Sequence, residues 1–272
     1  MKILFVGDIV GKPGRKAIQE ILPRIISQYQ IGFVIANCEN AAGGFGVTRD
    51  IVEELYQSRI DVLTSGNHIW DKKEIMEFVE DYETLLRPAN YPEGSPGSGS
   101  VVIPNPSGSY VGVLNLVGRI FMRPLDCPFR TALREVEKLK KKAKIIIVDI
   151  HAEATSEKKA LGWFLDGMVS AVLGTHTHVQ TADEEILPGG TAYITDVGMT
   201  GPFDSIIGLK KDGVLQRFLT QLPKKFDVAK NDVWLQGVVV DVDRDNGKSV
   251  KIERLSVKME NLREGFCFEE CI

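Results

Sequence analysis

"KILFVGDIVGKPGRKAIQEILPRIISQYQIGFVIANCEN", residues 2–40, carries the alternation that decides the fold. Its first part, "KILFVGD" (2–8), is a short apolar run closed by Gly7 and Asp8, the signature of a buried strand end. "RKAIQEILPRIISQYQ" (15–30) then reads as an amphipathic helix, and "GFVIANCEN" (32–40) as the next strand. "TRDIVEELYQSR" (48–59) continues as a helix with Thr48 at its N-cap, followed by a third strand in "IDVLTSGN" (60–67). Such a βαβαβ order predicts a parallel sheet covered by helices.

Beyond residue 90 the pattern changes. "YPEGSPGSGSVVIPNPSGSYVGVLNLVG" (91–118) mixes turn residues with "SVVIP" and "YVGVLNLVG", which predicts hairpin-like antiparallel strands. A helix bearing "REVEKLKKKAK" (134–144), its lysines read as a solvated face, leads into the strand "IIIVDIH" (145–151). "VSAVLGTHTH" (169–178), "GTAYITDVG" (190–198) and "VWLQGVVVDVDRDNGKSVKIERLSVKME" (233–260) read as further strands, the last with a "DRDNGK" turn. The expected architecture is α/β: two mixed sheets between helices, in one domain over 1–272, with an insertion or lid around 91–130.

Composition narrows the function classes. With 272 residues, 43% hydrophobic and 26% charged, the chain is that of an ordinary globular protein. A net charge of −4 gives no general pull toward nucleic acid or an anionic membrane. No run approaches the roughly 18 apolar residues of a membrane span, and the N-terminal run is too short for a signal peptide, so a cytoplasmic protein is expected. Cys38 and Cys127 are isolated, and Cys267 and Cys271 lack the further ligands a zinc site needs.

The polar residues collect where open α/β sheets place function, at the carboxyl ends of strands. Asp8, then Glu39 and Asn40, then Asn67 and His68, then His151, then His176 and His178 each end one of these strands, and the four histidines are all the chain has. Each residue alone admits an ordinary reading: a turn cap for Asp8, a hydrogen-bonded pair for Glu39 and Asn40, a satisfied core imidazole for His151. Their joint order points instead to a metal. Oxygen ligands with imidazoles suit divalent manganese, iron or zinc, and no cysteine stands among them. So many groups exceed one tetrahedral ion. Two ions about 3.5–4 Å apart, sharing a carboxylate, could use them all and hold a hydroxide for in-line attack at phosphorus.

That order, with "GNH" at 66–68 and "GTHTH" at 174–178, resembles the calcineurin-like metallophosphoesterase superfamily. "GDIVGKPGR" (7–15), "NCENAAGGFGVT" (37–48), "SGNHIWDKKEI" (65–75), "RPANYP" (87–92) and "GTHTHVQTADEEILPGGTAYITDVGMTG" (174–201) are similar to its bacterial YmdB-type branch. The resemblance implies a four-layer α/β/β/α sandwich and a dinuclear site. One ion would take Asp8, Glu39, Asn40 and His178, and the other Glu39, Asn67, His151 and His176, with Glu39 bridging. The chain departs from the wider superfamily at Val10, where a histidine would stand, and at Glu39, where the bridge is an aspartate. Asn40 would replace the missing imidazole, and the oxygen-richer set favours iron or manganese, divalent or mixed-valence, over zinc.

His68, beside the ligand Asn67, is expected to be catalytic, protonating the leaving oxygen or stabilising the transition state. Lys12 and Arg15, near a helix start, are candidate phosphate contacts. "GGFGV" (43–47) is a flexible glycine loop that could let a ligand approach closely, and it does not fit a dinucleotide fingerprint. The implied activity is a phosphodiesterase on cyclic nucleotides, 2′,3′-cyclic ones favoured, or on short RNA ends, in a homo-oligomer. A phosphomonoesterase with the same metals, a nucleotide-binding regulator without turnover and an amidohydrolase barrel are the competing readings.

Overall fold

Alternate residues of the first strand, β1 (Lys2–Val6), serve two different cores. Leu4 and Val6 pack against helices, while Ile3 and Phe5 pack against a second sheet. This two-sided burial explains the continuous apolar run that predicted the strand. The structure, a computed structural model, describes residues 1–105 and 108–260. Cys267 and Cys271 lie outside the described residues.

The first sheet contains β1, β2 (Asp8–Ile9), β3 (Phe33–Asn37), β4 (Val62–Thr64), β11 (Met199–Pro202), β12 (Val233–Val242) and β13 (Ser249–Lys258). Its order is β2-β11-β12-β1-β3-β4, with β13 on the other edge of β12. β1, β3 and β4 run parallel, and β12 is antiparallel to β1. The second sheet has the order β5-β6-β7-β8-β10-β9. Its strands are β5 (Ser100–Pro104), β6 (Tyr110–Val117), β7 (Ile145–His151), β8 (Ala171–Thr175), β9 (Glu185–Ile186) and β10 (Ala192–Ile194). The inner four are parallel, and β5 and β9 are antiparallel edges.

Three apolar cores separate four layers. Helix α1 (Gly11–Tyr29) offers Ile18, Ile21, Leu22 and Ile25, an i, i+3, i+4, i+7 stripe, and α2 (Arg49–Gln57) adds Val52 and Leu55 against the outer face of the first sheet. Ile3, Phe5, Phe33 and Ile35 meet Val111, Val113, Ile145 and Ile147 between the sheets. On the far side, α4 (Pro128–Leu139) and α5 (Thr155–Phe164) cover Leu116, Ile146 and Val148. A short α3 (Ile75–Phe78) and α6 (Lys211–Thr220) complete the helices among the described residues. None of these helices is long and apolar enough to cross a membrane.

Several expectations need adjustment. The first helix starts at Gly11, not residue 15, because Pro13 in its first turn has no N–H to leave unpaired. The helix expected over 134–144 begins at Pro128 for the same reason and ends at Leu139. Thr48 occupies the N-cap position of α2 with extended backbone, but its side chain makes no cap bond. The run 190–198 is not one strand: β10 ends at Ile194 in the second sheet, and the chain crosses to the first sheet as β11. Asp196 makes that crossing, accepting the Gly198 N–H at 2.9 Å. Within 91–130, β5 and β6 pair antiparallel as expected, and β6 pairs parallel with β7, so both strands are built into the second sheet.

Candidate metal centre

Parallel strands of both sheets end at one place. Asp8 follows β1, Glu39 and Asn40 follow β3, Asn67 and His68 follow β4, His151 ends β7, and His176 and His178 follow β8. One buried carboxylate ties these ends together: Asp149 accepts hydrogen bonds from Thr64 Oγ1 at 2.6 Å, Thr175 Oγ1 at 2.7 Å and Asn37 Nδ2 at 3.1 Å. These three donors come from β4, β8 and β3, and Asp149 itself from β7. The strand ends are therefore locked across the two sheets. Gly66 lets them close: a Cβ there would collide with the His151 ring and the Glu39 carboxylate.

The hydrogen bonds around the imidazoles determine which nitrogens face inward. His151 Nδ1 lies 2.9 Å from Thr175 Oγ1, whose only proton goes to Asp149, so Nδ1–H is the donor. His176 Nε2 is 3.0 Å from a Glu153 carboxylate oxygen, and His178 Nδ1 is 3.0 Å from the Ile207 carbonyl. Both partners accept only. Each ring thus uses its outer N–H on an acceptor behind it, the arrangement by which proteins orient metal-binding histidines. His176 and His178 hold left-handed backbone, φ 103° and 63°, a strain that packed surroundings must sustain.

The inward atoms form two groups. His151 Nε2 lies 2.9 Å from Glu39 Oε1, 3.0 Å from Asn67 Oδ1 and 2.9 Å from His176 Nδ1. All four present lone pairs, so a positive charge has to sit among them. Against burial, Glu39 and Asp8 lift His151 to about 9, while burial and His151 push His176 down to about 3. Burial also opposes ionisation of Glu39, yet His151 and His68 hold it at about 2. A proton answers this demand when nothing else does, and a metal cation would displace it.

In the second group, His178 Nε2 is 3.3 Å from Asn40 Oδ1 and 4.0 Å from Asp8 Oδ1. Asn40 donates its amide N–H to the Gly44 carbonyl at 2.9 Å, which turns its oxygen inward. Asp8 Oδ1 is buried with no hydrogen-bond partner, a state that costs roughly 1–3 kcal/mol or more for a polar atom. A cation between the two groups would relieve both the orphaned oxygen and the crowded lone pairs, so the donor set fits metal ions.

His68 stands at the rim. Its backbone N–H donates to Glu39 Oε2 at 3.0 Å, and its Nδ1–H donates to Asp71 at 2.8 Å, so Nε2 is the nitrogen left for the cavity. A cavity of about 240 Å³ opens here, lined by Glu39, Asn40, His68, His176 and His178 and, among the rest, by Val10, Phe45, Ile207 and Leu209. Lys12 and Arg15 are not among its lining residues: Arg15 bonds Glu54 at 2.8 Å and the Ala41 carbonyl at 2.6 Å, and Lys12 is exposed on the first turn of α1.

Sequence reasoning missed Asp149, Thr175, Glu153 and Asp71, the groups behind the imidazoles. It also missed the fully buried pair of Lys158 and Asp196, 2.8 Å apart, where Asp196 also holds the Thr177 N–H between the two histidines at 3.0 Å. A carboxylate inside the apolar run "IIIVDIH" was the readable signal for Asp149.

Fold and cluster together define a class. The chain matches the calcineurin-like phosphoesterase YfkN from Bacillus subtilis at TM-score 0.57 over 96% of this chain and 91% of that one, at 12% identity, which shows the fold. It is the calcineurin-like phosphoesterase fold, with a candidate site for divalent metal ions. Within that class the chain belongs to the YmdB-like protein family, whose model matches residues 4–255. It is 51% identical over 262 residues, 96% of this chain and 99% of the relative, to a 2′,3′-cyclic-nucleotide 2′-phosphodiesterase from Bacillus subtilis. A structure of a hypothetical protein from Thermus thermophilus superposes at TM-score 0.89 with 43% identity, covering 95% of this chain and 99% of that one.

Proposed function

We propose that the protein is a metal-dependent phosphodiesterase that hydrolyses nucleoside 2′,3′-cyclic phosphates at the P–O2′ bond, releasing the 3′-nucleotide. The observation that carries this reading is the convergence of metal-type donors, each imidazole oriented from behind, beside His68 with its free nitrogen toward the cavity. The named relative supports the substrate class. Asp8, Glu39, Asn40 and His178 would hold one ion and Glu39, Asn67, His151 and His176 the other, with iron or manganese favoured by the oxygen-rich donors. When bound, such ions would supply Lewis-acid activation of water and neutralise charge on the phosphoryl oxygens.

The chain's own residues do the rest. His68, held by Asp71, gives its proton to the departing ribose 2′ oxygen as water adds to phosphorus. No lysine or arginine lines the cavity, which suits a singly charged diester better than a monoester with about two charges. Cyclic phosphates at RNA 3′ ends share the same ring and fall within the proposal. An exposed stripe of Leu215, Phe218, Leu219 and Leu222 supports a homo-oligomer, and the unpaired thiols of Cys38 and Cys127 suit a reducing cytoplasm. β12 and β13, late in the chain, pair into the sheet built on β1, which supports a single domain.

Hydrolysis of 2′,3′-cyclic AMP by protein loaded with Mn²⁺ or Fe²⁺, beside 3′,5′-cyclic AMP and a phosphomonoester, tests the reading. Metal-dependent release of 3′-AMP from the 2′,3′ ring alone is expected. Turnover of the monoester without the cyclic nucleotides would make the protein a phosphatase, and silence on all three would leave a non-catalytic regulator.

The Asp71→Asn variant tests the histidine's support. It is expected to lower kcat by about tenfold, a share of the 10²–10⁴ a general acid contributes, with KM and metal content held. Asp71→Glu, which restores the carboxylate, should recover part of the loss. An unchanged kcat in Asp71→Asn would detach this carboxylate from the chemistry.

A further inference from the structure

The cavity beside the metal-type donors is lined in part by side chains of a different chemistry. Phe45, Ile207, Leu209 and Val10 face the cavity without a side-chain hydrogen-bonding group among them. Nothing in metal binding or proton transfer calls for an apolar wall at that place.

Both of its principal members are anchored to the donor cluster itself. Gly44, the neighbour of Phe45, accepts the Asn40 side-chain N–H at 2.9 Å and donates its own N–H to the Asn40 carbonyl at 3.1 Å. Its φ of 103° is one that glycine adopts without strain, and that turn precedes Phe45 at the cavity. On the other side, the Ile207 carbonyl accepts the His178 ring N–H. Ile207 keeps a φ of 46°, an outlier for a β-branched side chain, and remains 48% exposed at the cavity. Strain of this kind persists where surroundings enforce it and is concentrated at ligand sites. The Phe45 ring also meets the His68 ring edge-on at a centroid distance of 4.9 Å. An aromatic face thus lies one ring away from the proposed proton donor.

We infer that Phe45 and Ile207, with Leu209, form a slot for the nucleobase of the substrate. The inference rests on the cyclic-nucleotide reading above and adds how the site distinguishes a nucleotide from any other cyclic phosphodiester. A base offers two apolar faces that stack on an aromatic ring, and such stacking is tolerant of base identity because every base has a π face. These walls present no side-chain group to read a base edge, so purines and pyrimidines both fit, purines better by their larger face. The slot therefore selects for the presence of a base and leaves its identity open.

The test compares 2′,3′-cyclic AMP with ribose 2,3-cyclic phosphate, which keeps the reacting ring and lacks the base. Metal-loaded wild-type protein is expected to show kcat/KM about tenfold or more higher for the nucleotide, from base–aromatic stacking. In Phe45→Ala that ratio should fall toward one, and in Phe45→Trp it should be kept. A ratio near one in the wild type overturns the slot. So does a ratio that survives in Phe45→Ala, since equal losses on both substrates would mean that Phe45 acts through His68 alone.

A binding measurement separates this inference from the activity it rests on. Saturation-transfer NMR on 3′-AMP with metal-loaded protein should show the adenine protons contacted in the wild type and not in Phe45→Ala. Adenine contact without turnover of either cyclic substrate would keep the slot and remove the phosphodiesterase. Absence of adenine contact in the wild type removes the slot whatever the turnover.

Discussion

The Glu39→Gln variant is expected to lose its metal and at least about a thousandfold of its activity together. Glu39 places one oxygen 2.9 Å from His151 Nε2 and the other 3.0 Å from the His68 N–H, so a single side chain joins the donor cluster to the rim of the cavity. Glutamine keeps the size and one oxygen and replaces the other with two N–H donors. If the remaining oxygen stays on the His68 N–H, the amide N–H group points among the lone pairs of Asn67, His151 and His176, where it occupies the cation's place. If the amide flips, two N–H donors face each other at the rim. Either arrangement removes a full negative charge from a cluster that needs a cation. Several kcal/mol of charge stabilisation are at stake, and each 1.4 kcal/mol is a factor of ten. Metal content by inductively coupled plasma mass spectrometry should fall well below that of the wild type, and added Mn²⁺ should raise the wild-type Tm but not that of the variant. A variant that keeps its metal and its rate would mean that Glu39 does not bridge the two groups.

Why Glu39 could be singled out from the sequence, and Asp71 could not, has a physical basis. The strands at 2–8, 32–40, 60–67 and 145–151 are buried on both faces, so their apolar runs stand out, and a polar residue at their ends is conspicuous. This made the two-sheet architecture readable together with Asp8, Glu39, Asn40, Asn67 and all four histidines. Apart from Asp149, the supporting groups have no such contrast. Asp71 sits among the charged residues of "WDKKEI", and Glu153 follows His151 as an ordinary exposed acid. Asp149 and Thr175 lie within strands, where their role depends on pairing between β7 and β8, a contact no local pattern encodes. The crossing at Asp196 was hidden for a related reason: "GTAYITDVG" reads as one strand, although β10 stops at Ile194 and the next strand, in the other sheet, starts only at Met199. Lys12 and Arg15 show the opposite case. Positive charge beside a glycine turn resembles a phosphate site, but the early start of α1 turns Arg15 toward Glu54.

The His68→Ala variant is expected to keep its metal and lose about 10²–10⁴ of kcat, the range a positioned general acid contributes. Metal is kept because the ring of His68 is outside the donor cluster. Its one contact there is a backbone N–H to Glu39, which alanine retains. The loss should depend on the leaving group. A ribose 2′ oxygen leaves poorly as an alkoxide and needs the proton that His68 Nε2 carries, whereas a nitrophenolate departs without one. The deficit on 2′,3′-cyclic AMP should therefore exceed that on bis(p-nitrophenyl) phosphate by about tenfold or more. Equal deficits on both would assign His68 to stabilising charge on the phosphoryl oxygens, which the two substrates share, and an unchanged rate would remove it from the mechanism. Asp71 sharpens the distinction. A carboxylate 2.8 Å from Nδ1 fixes the tilt of the ring, which a proton donor needs in order to aim Nε2. For that reason Asp71→Asn should reproduce the leaving-group dependence of His68→Ala at smaller amplitude, and the two losses should not add.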